Sequence, residues 1–419
     1  MAIHPIVSAL QRHKVGTLLI ALQIAFTLAI VCNALFVIHN CFDKMHRTTG
    51  LHEDHLFMIE TTSASGANSA GMSSEALDAS IRGDLVALRR LPSVEDAYES
   101  NSLPLSNMPW SNILRTSPND KPHTFAEFFN ADDHTIGTLG LTLVGGRNFR
   151  ADEIGGHDQL SGMQPSVVIV SRQLATMLFP NGNALGNRIY FMGTVTPSTI
   201  VGIVDRMQTA SANGFNDSAT WNSILVPFRM VNPTRYYVVR AKNGQLAAAM
   251  KAAEAALYAQ DPLRIIPDGE DGDDIGIRSF AQIRAAAYAT DRTLAMLMGV
   301  IGAILLSVTG AGIAGLSSFW VTQRRRQIGM RRALGATARD ILNYFLVENA
   351  LISGSGAMLG IVLAYAFNYW LMSKLELTVL SSPYVFIGVA ITVLLSQAAA
   401  FAPALRASKI APMEAIRTF

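Results

Sequence analysis

The sequence predicts a membrane protein with four transmembrane α-helices and a large mixed α/β domain, inserted outside the membrane between helices 1 and 2. Half of its 419 residues are hydrophobic and only 15% are charged, a balance typical of membrane proteins. Charge is also divided along the chain: residues 39–290 carry 20 basic and 26 acidic side chains, whereas the remainder carries 13 and 5. Together with four long apolar runs, this division indicates an acidic external domain between basic, apolar ends.

The four apolar runs define the predicted spans, which are residues 15–38, 293–319, 341–370 and 383–405. At 1.5 Å per residue, the first run would form a helix of ~36 Å, long enough to cross a bilayer. It is too long for the core of a signal peptide and no small-residue cleavage site follows it, so we interpret it as an uncleaved anchor. The third run is the least apolar, because Asn343, Glu348 and Asn349 interrupt it.

The basic residues beside the spans predict the orientation. Residues 1–14, 320–340 and 406–419 carry eleven basic and two acidic side chains, whereas the short loop 371–382 carries one of each. Segments rich in Lys and Arg stay on the cytoplasmic side. We therefore expect a multi-pass protein of the bacterial inner membrane, with both termini and residues 320–340 in the cytoplasm and residues 39–292 outside.

The external segment alternates helix and strand signals over a length sufficient for two subdomains. Residues 74–90 place Leu77, Ile81, Leu85 and Leu88 on one face of an amphipathic helix. Further helices are predicted at 171–179 and 245–260. Short β-branched and aromatic runs predict strands at 94–100, 166–170, 188–192, 199–204, 224–227 and 236–240.

No catalytic or metal-binding pattern stands out, so the sequence predicts neither an enzyme nor a cofactor site, and nothing in it points to nucleic acid. His52–His55 and the acidic run Asp268–Asp274 lack the ligand spacing of a metal site and are interpreted as solvated segments. Leu160–Gln164 is similar to the signature loop of ABC ATPases, but without any Gly-Lys pair there is no phosphate-binding loop. Cys32 and Cys41 are too few for a disulfide framework.

Glycines in the second and third predicted spans indicate where helices approach closely. Small residues permit backbone contact between helices in lipid. The candidates are Gly299, Gly302, Gly310, Gly356 and Gly360. They favour helix packing, and beyond it a contact with a second copy of the chain, although glycine is also common in membrane helices generally.

The segment from Arg324 to Thr337 is the most informative motif. It reads RRRQIGMRRALGAT and places Ile328, Met330 and Leu334 among arginines. Attraction to anionic lipid explains the charge, at ~1 kcal/mol per basic residue, but not the apolar side chains or the glycines. A short amphipathic helix of this composition is suited to docking on a protein surface.

This segment resembles the RRxEIGxRRALGA loop of MacB/FtsX-type ABC permeases. The order of other motifs agrees with that family: 91–94 is similar to its LPGV step, 139–149 to LG…GRxF, 167–189 to VVIN…LFP…GxxI, and 403–417 to PAxRAS…P…EALR. Gln327 departs from the pattern, since the family usually has Glu there, which puts in doubt any ion pair made at that position.

The resemblance implies a permease subunit that transmits ATP-driven motion from a separate cytoplasmic ATPase, which binds the ATP, to the periplasmic domain. It further implies a second protomer (identical or different), a periplasmic adaptor and an outer-membrane channel, with lipid around the spans. The residues implied in ATPase coupling are Gln327, Ile328, Gly329, Arg331, Arg332, Leu334 and Gly335. A helix continuous from Ser279 to Phe319 would act as the lever. We expect Glu348, a carboxylate inside a span, to serve structure or coupling rather than a proton relay.

Two other functions remain open. One is a regulator of the same fold that activates a periplasmic hydrolase or extracts lipoproteins. The other is a membrane-anchored sensor whose periplasmic domain binds a ligand. The sequence identifies neither the substrate nor the partner proteins.

Overall fold

A computed structural model describes residues 14–63, 74–118, 124–157, 164–212, 219–269, 275–375 and 379–409. The chain divides into two compact units: an α/β unit, Arg47–Ala289, and a helical unit made of Met1–His46 with Thr290–Phe419. Of the sequence predictions, the chain ends 1–13 and 410–419, most of the acidic run at 268–274 and most of the segment 160–164 lie outside the described residues.

The elements are numbered in chain order. The helices are α1 (Lys14–Met45), α2 (Ser74–Arg89), α3 (Thr135–Leu139), α4 (Arg172–Leu178), α5 (Leu246–Gln260), α6 (Phe280–Ala287), α7 (Ala289–Gln323), α8 (Arg325–Ala333), α9 (Ala338–Leu375) and α10 (Ser382–Ser408). The strands are β1 (Leu56–Thr62), β2 (Val94–Ser100), β3 (Ser111–Arg115), β4 (Thr124–Asn130), β5 (Leu143–Gly146), β6 (Gly155–His157), β7 (Val167–Ser171), β8 (Arg188–Phe191), β9 (Ser198–Val204), β10 (Ser223–Val226), β11 (Phe228–Met230), β12 (Thr234–Ala241) and β13 (Ile277–Ser279).

Four described helices, α1, α7, α9 and α10, are long and apolar enough to cross a membrane, and each predicted span lies within one of them. Apolar clusters join α1 to α9 and α10, with Leu28 and Phe36 of α1 packed against Ala364 and Val385. Buried polar pairs add directional contacts: the hydroxyls of Thr27 and Thr309 lie 2.7 Å apart. Such bonds satisfy polar groups that lipid would leave unpaired.

The predicted single helix from Ser279 to Phe319 is wrong, because the helical backbone is interrupted at Tyr288. Ser279 caps α6, which ends at Ala287, and Tyr288 has φ −102° and ψ 12°. The Tyr288 side chain is buried and its hydroxyl accepts a hydrogen bond from Gln208 Nε2 at 3.1 Å. The residue at which α6 stops is therefore one whose side chain is held within the α/β unit.

The α/β unit contains two sheets with separate cores. The first is antiparallel in the order β13–β1–β12–β2, and α2 and α5 cover one face of it. Its core joins alternate residues of the strands, such as Phe57 and Tyr237, to Ile81 and Leu85 of α2 and Leu257 of α5. The amphipathic helix predicted at 74–90 thus buries the face that its leucines define.

The second sheet is mixed and follows the order β5–β9–β7–β10–β4–β3–β8, with β8 also pairing with β9. This extra pairing closes six of its strands into a barrel filled with apolar side chains, among them Phe128, Val170, Phe191 and Ile200. Closure leaves fewer exposed strand edges. The strands predicted at 166–170, 188–192, 199–204 and 224–227 all belong to it.

A buried ionic cluster ties α2 to the first sheet. The Asp84 carboxylate accepts hydrogen bonds from Tyr237 Oη at 2.6 Å and from Arg264 Nη2 at 2.7 Å, and Arg235 Nη1 lies 3.3 Å away. All four side chains are buried. A buried carboxylate without such partners would be costly, so the loss of any one partner should destabilise the fold of the α/β unit.

Candidate functional site

The segment between α7 and α9 folds as a separate short helix, α8. Its start is a corner at Arg324, whose φ of −95° and ψ of 7° depart from the helix of α7. Its end is set by Gly335, which has φ +99°, a conformation that favours glycine at the end of a helix. Thr337 and Asp340 then cap α9, with Thr337 N donating to Asp340 Oδ2 at 3.0 Å and Asp340 N to Thr337 Oγ1 at 3.2 Å.

One face of α8 packs against the helical unit. Ile328 is 5% exposed and belongs to a small apolar cluster with Val321, Ile341 and Ala407, and Phe345 packs against it. Gly329 is buried as well. The prediction that Ile328 offers apolar surface to a partner is therefore wrong. Ile328 lies four residues after Arg324, which places both side chains on the face of α8 that packs against the helical unit.

The opposite face of α8 remains open. Leu334 is 84% exposed and Met330 is 58% exposed, and their spacing of four residues puts them on one side of the helix. Gln327 and Gly335 are also exposed, and Arg332 is half-buried. The open face combines two apolar side chains with basic neighbours, an arrangement that can bind a protein surface but performs no chemistry by itself.

Two arginines attach α8 to α9. Arg324 Nη1 donates to both oxygens of the Glu348 carboxylate at 2.9 Å, and only 11% and 4% of the two side chains are exposed. Arg331 lies over the Tyr344 ring, 4.9 Å from its centroid. The ion pair supplies the neutralising partner that a carboxylate inside a span requires.

With this geometry in place, comparison with known proteins defines the family. Residues 17–256 match the MacB-like periplasmic core domain and residues 299–412 match the FtsX-like permease C-terminal domain. The chain is a member of the MacB/FtsX-type ABC transporter permease family.

Relatives of this permease include macrolide export ATP-binding/permease proteins. MacB of Chromobacterium violaceum is 29% identical over 292 residues, covering 66% of this chain and 41% of the relative. MacB of Bdellovibrio bacteriovorus is 37% identical over 153 residues, covering 36% and 24%. The probable syringafactin exporter SyfD of Pseudomonas syringae is 29% identical over 266 residues, covering 62% and 38%. The permease chain thus spans about two fifths of the length of such relatives or less.

Solved structures with similarity to this permease include the periplasmic region of MacB from Actinobacillus actinomycetemcomitans. It is 15% identical, with a TM-score of 0.35, and the match covers 58% of this chain and 96% of that one. The extracellular domain of the ABC-type transporter YknZ from Gram-positive bacteria is 16% identical, with a TM-score of 0.31, and the match covers 53% and 98%.

The glycines predicted to pack helices separate into two groups in this permease. A side chain added at Gly356 or Gly360 would collide with α1, and one at Gly310 would lie 3.5 Å from Leu395 of α10. Gly299 and Gly302 of α7 have no atom within 4 Å of such a position among the described residues. Close packing through glycine therefore joins α9 to α1, whereas a Cβ added at Gly299 or Gly302 of α7 would meet no neighbouring side chain in the part of the chain that the structure describes.

The polar motifs of the α/β unit serve structural contacts. Glu53 of the His52–His55 segment pairs with Arg284 of α6 at 2.5 Å, and the His52 carbonyl accepts from Arg240 at 2.8 Å. Within the described ranges, no group of three or more His, Cys, Asp or Glu side chains could hold a metal ion.

Proposed function

We propose that this chain is the permease subunit of a MacB-like ABC transporter and passes ATP-driven motion from an ATPase to the α/β unit. ATP binds to that ATPase, which lies outside this sequence. Transport is efflux through a periplasmic adaptor and an outer-membrane channel. The family match supports the transporter class, and its relatives, which are ATP-binding/permease proteins, support the association with an ATPase.

The observation that supports this proposal most directly is the open face of α8. Leu334 and Met330 are large apolar side chains held in solvent-accessible positions among basic residues, while Ile328 on the opposite face anchors the helix. A helix fixed on one side and apolar on the other is ready to bind without rearranging, which lowers the entropic cost of binding.

The proposal includes a topology and a second copy. The basic residues flanking the spans favour cytoplasmic termini, a cytoplasmic α8 and an α/β unit in the periplasm. A Cβ added at Gly299 or Gly302 of α7 would meet no atom within 4 Å among the described residues, so these positions are suited to close contact with another transmembrane helix, and we assign them to the second protomer.

Photocrosslinking in the native host tests the ATPase partnership. A photoreactive amino acid at Leu334 should capture an ABC ATPase, identified by mass spectrometry. The same amino acid at Phe386, which is also exposed but lies on the membrane-spanning helix α10, should not. Capture of no ATPase from Leu334, with the protein inserted and folded, would contradict the proposal.

A substitution measures how much the open face contributes. Burying a leucine side chain is worth ~1.5–3 kcal/mol, so Leu334→Asp should weaken ATPase binding roughly 10- to 150-fold. Arg326→Gln, at an exposed basic position of the same helix, should have a much smaller effect that shrinks at high salt. Both variants should insert into the membrane normally. Undiminished binding by Leu334→Asp would show that the segment is only an orientation signal.

The same crosslinks separate the other functions. A regulator of a periplasmic hydrolase or a lipoprotein extractor would still capture an ATPase through Leu334, so the proteins copurifying with the α/β unit decide between these tasks. A membrane-anchored sensor would capture none.

A further inference from the structure

The side chains that attach α8 to α9 form two matching stripes. On α8 and its preceding corner, Arg324, Ile328 and Arg331 are spaced by four and three residues, which places them on one face. Arg324 contacts Glu348, and Arg331 contacts Tyr344. As the chain runs forward along α8, its partners run backward along α9, so the two form an antiparallel helical hairpin closed at Gly335.

Within this hairpin the ion pair is the contact furthest from the turn. Glu348 lies ten residues into α9, roughly 15 Å from its first residue at 1.5 Å per residue. Arg324 is the corner residue where α7 ends, so the pair joins that corner to α9 directly. Tyr344 and Ile341, by contrast, hold positions nearer the turn.

The chemistry of the pair makes it directional. One guanidinium nitrogen is shared between two carboxylate oxygens at equal distances of 2.9 Å, and both side chains are largely withdrawn from solvent. Charge-assisted bonds of this kind are stronger than neutral ones. Removal of one partner would leave a buried charge uncompensated, so the corner could not keep its place on α9.

The next step along the chain is also closely packed. Further along α9, Gly356 and Gly360 bring its backbone against α1, where Ala21 O and Ala25 O lie 2.8 and 3.0 Å from the positions of added Cβ atoms. A displacement of α9 toward α1 would therefore also displace α1, because the two backbones are already in close contact.

We propose that Arg324 and Glu348 are positioning residues for force transmission: they hold α8, its corner and α9 as one body, so that motion imposed on α8 enters the bundle through α9. This inference rests on the proposed coupling function. It assigns the first transmitting helix to α9, in addition to the direct covalent continuation through α7.

A distance measurement tests, in the absence of the ATPase, whether Arg324 and Glu348 hold α8 on α9. Spin labels at Leu334 and at Met358, an exposed residue of α9, report how α8 sits on α9 in the full-length protein in nanodiscs, with Cys32 and Cys41 replaced by alanine. The native pair should give one narrow distance distribution. Arg324→Gln and Glu348→Gln should broaden it into several populations, whereas Arg326→Gln, the same substitution two residues away, should leave it narrow. A narrow distribution in both pair variants would overturn the proposal.

Two further variants guard against simple misfolding. Arg324→Lys keeps the charge and should retain the narrow distribution. The double variant Arg324→Met with Glu348→Leu removes both charges, a change that buried pairs often tolerate in stability. It should therefore insert and fold but show a broadened distribution. If the double variant keeps the narrow distribution, apolar packing is sufficient to hold α8 on α9 and the ion pair is not required for it.

Coupling is measured separately, with the ATPase captured by the Leu334 crosslink and copurified with the full chain. Arg324→Gln should still bind that ATPase but lower permease-dependent ATP hydrolysis about ten-fold, the size of a typical coupling effect. Unchanged hydrolysis despite a broadened distance distribution would overturn the transmitting role. Capture of no ATPase by the native chain would refute the proposed function. The distance measurement would then still show whether the ion pair holds α8 on α9.

Discussion

Substitution of Gly356 by alanine tests whether α9 packs on α1 as closely as the structure shows. An alanine Cβ at this position would lie 2.8 Å from the carbonyl oxygen of Ala21 and 3.0 Å from the Cβ of Ile24. One of these is a backbone atom and the other is bound directly to the backbone, so rotating a side chain does not relieve the collision. The two helices must move apart along their contact.

The matched control is Gly299→Ala on α7, where the added Cβ meets no atom within 4 Å among the described residues. Each alanine gains up to about 1 kcal/mol of helix propensity over glycine. Inserting a methyl group into a packed site costs ~1–3 kcal/mol. The propensity gain is common to both variants and cancels, so Gly356→Ala should be less stable than Gly299→Ala by about 1–3 kcal/mol, or roughly 5- to 150-fold in the unfolding equilibrium.

Unfolding by SDS in mixed micelles, followed by the loss of helical circular dichroism, measures this difference. Gly299→Ala should unfold at or above the SDS fraction that unfolds the native protein, and Gly356→Ala below it. Gly360→Ala, one turn further along α9, should behave like Gly356→Ala, because its Cβ would lie 3.0 Å from the Ala25 carbonyl oxygen. Equal stability of the Gly356 and Gly299 variants would show that α1 and α9 are not in close contact.

The remaining predictions concern the α/β unit and the topology. Burial raises the pKa of Glu99 from 4.5 to about 8, so the folded state holds a proton that the unfolded chain releases, and stability should fall as pH rises between these values. Relative to the native protein, Glu99→Gln should unfold at a progressively higher temperature from pH 5 to pH 8, and a constant difference would contradict this. With Cys32 and Cys41 replaced, an impermeant maleimide applied outside spheroplasts should label Val195→Cys and spare Thr322→Cys; the reverse pattern would exclude the proposed topology.

The sequence was sufficient for features that depend on local pattern. Span positions follow from apolar length, and the amphipathic helix at 74–90 follows from the spacing of its leucines, since such signals need no knowledge of distant residues. The strands predicted around Val170 and Ile200 were found for the same reason. The composition of the segment was likewise sufficient to predict that α8 is a short amphipathic helix between two spans.

Features set by distant contacts were missed. Helical spacing shows only that α8 has two faces, and the sequence therefore does not reveal that Ile328 lies on the buried one. The packing of Val321, Ile341 and Ala407 decides which face is buried. The interruption at Tyr288 coincides with a hydrogen bond from Gln208, 80 residues away. Local propensity carries no record of either contact.

Buried charge was the hardest feature to predict. Asp84 and its arginine partners come from a helix, a strand and a loop that are far apart in sequence, and only the fold brings them together. Glu348 was recognisable as costly, but its partner was hidden among six arginines of one segment. The corner at Arg324 directs its guanidinium to Glu348, a consequence of backbone angles that the sequence pattern does not encode.

The pairing of Glu348 also bears on the choice between coupling and proton transfer. A relay residue needs an oxygen free to accept a proton and pass it on, within reach of water or of a second acid. Both Glu348 oxygens are engaged by Arg324, and the carboxylate is largely withdrawn from solvent. Releasing either oxygen would expose a buried charge, at a cost that relay chemistry would have to meet in every cycle. For a contact that transmits force the same cost is favourable, because it keeps the ion pair closed while α8 and α9 move together. The geometry of the pair is therefore suited to a structural contact between helices rather than to proton transfer.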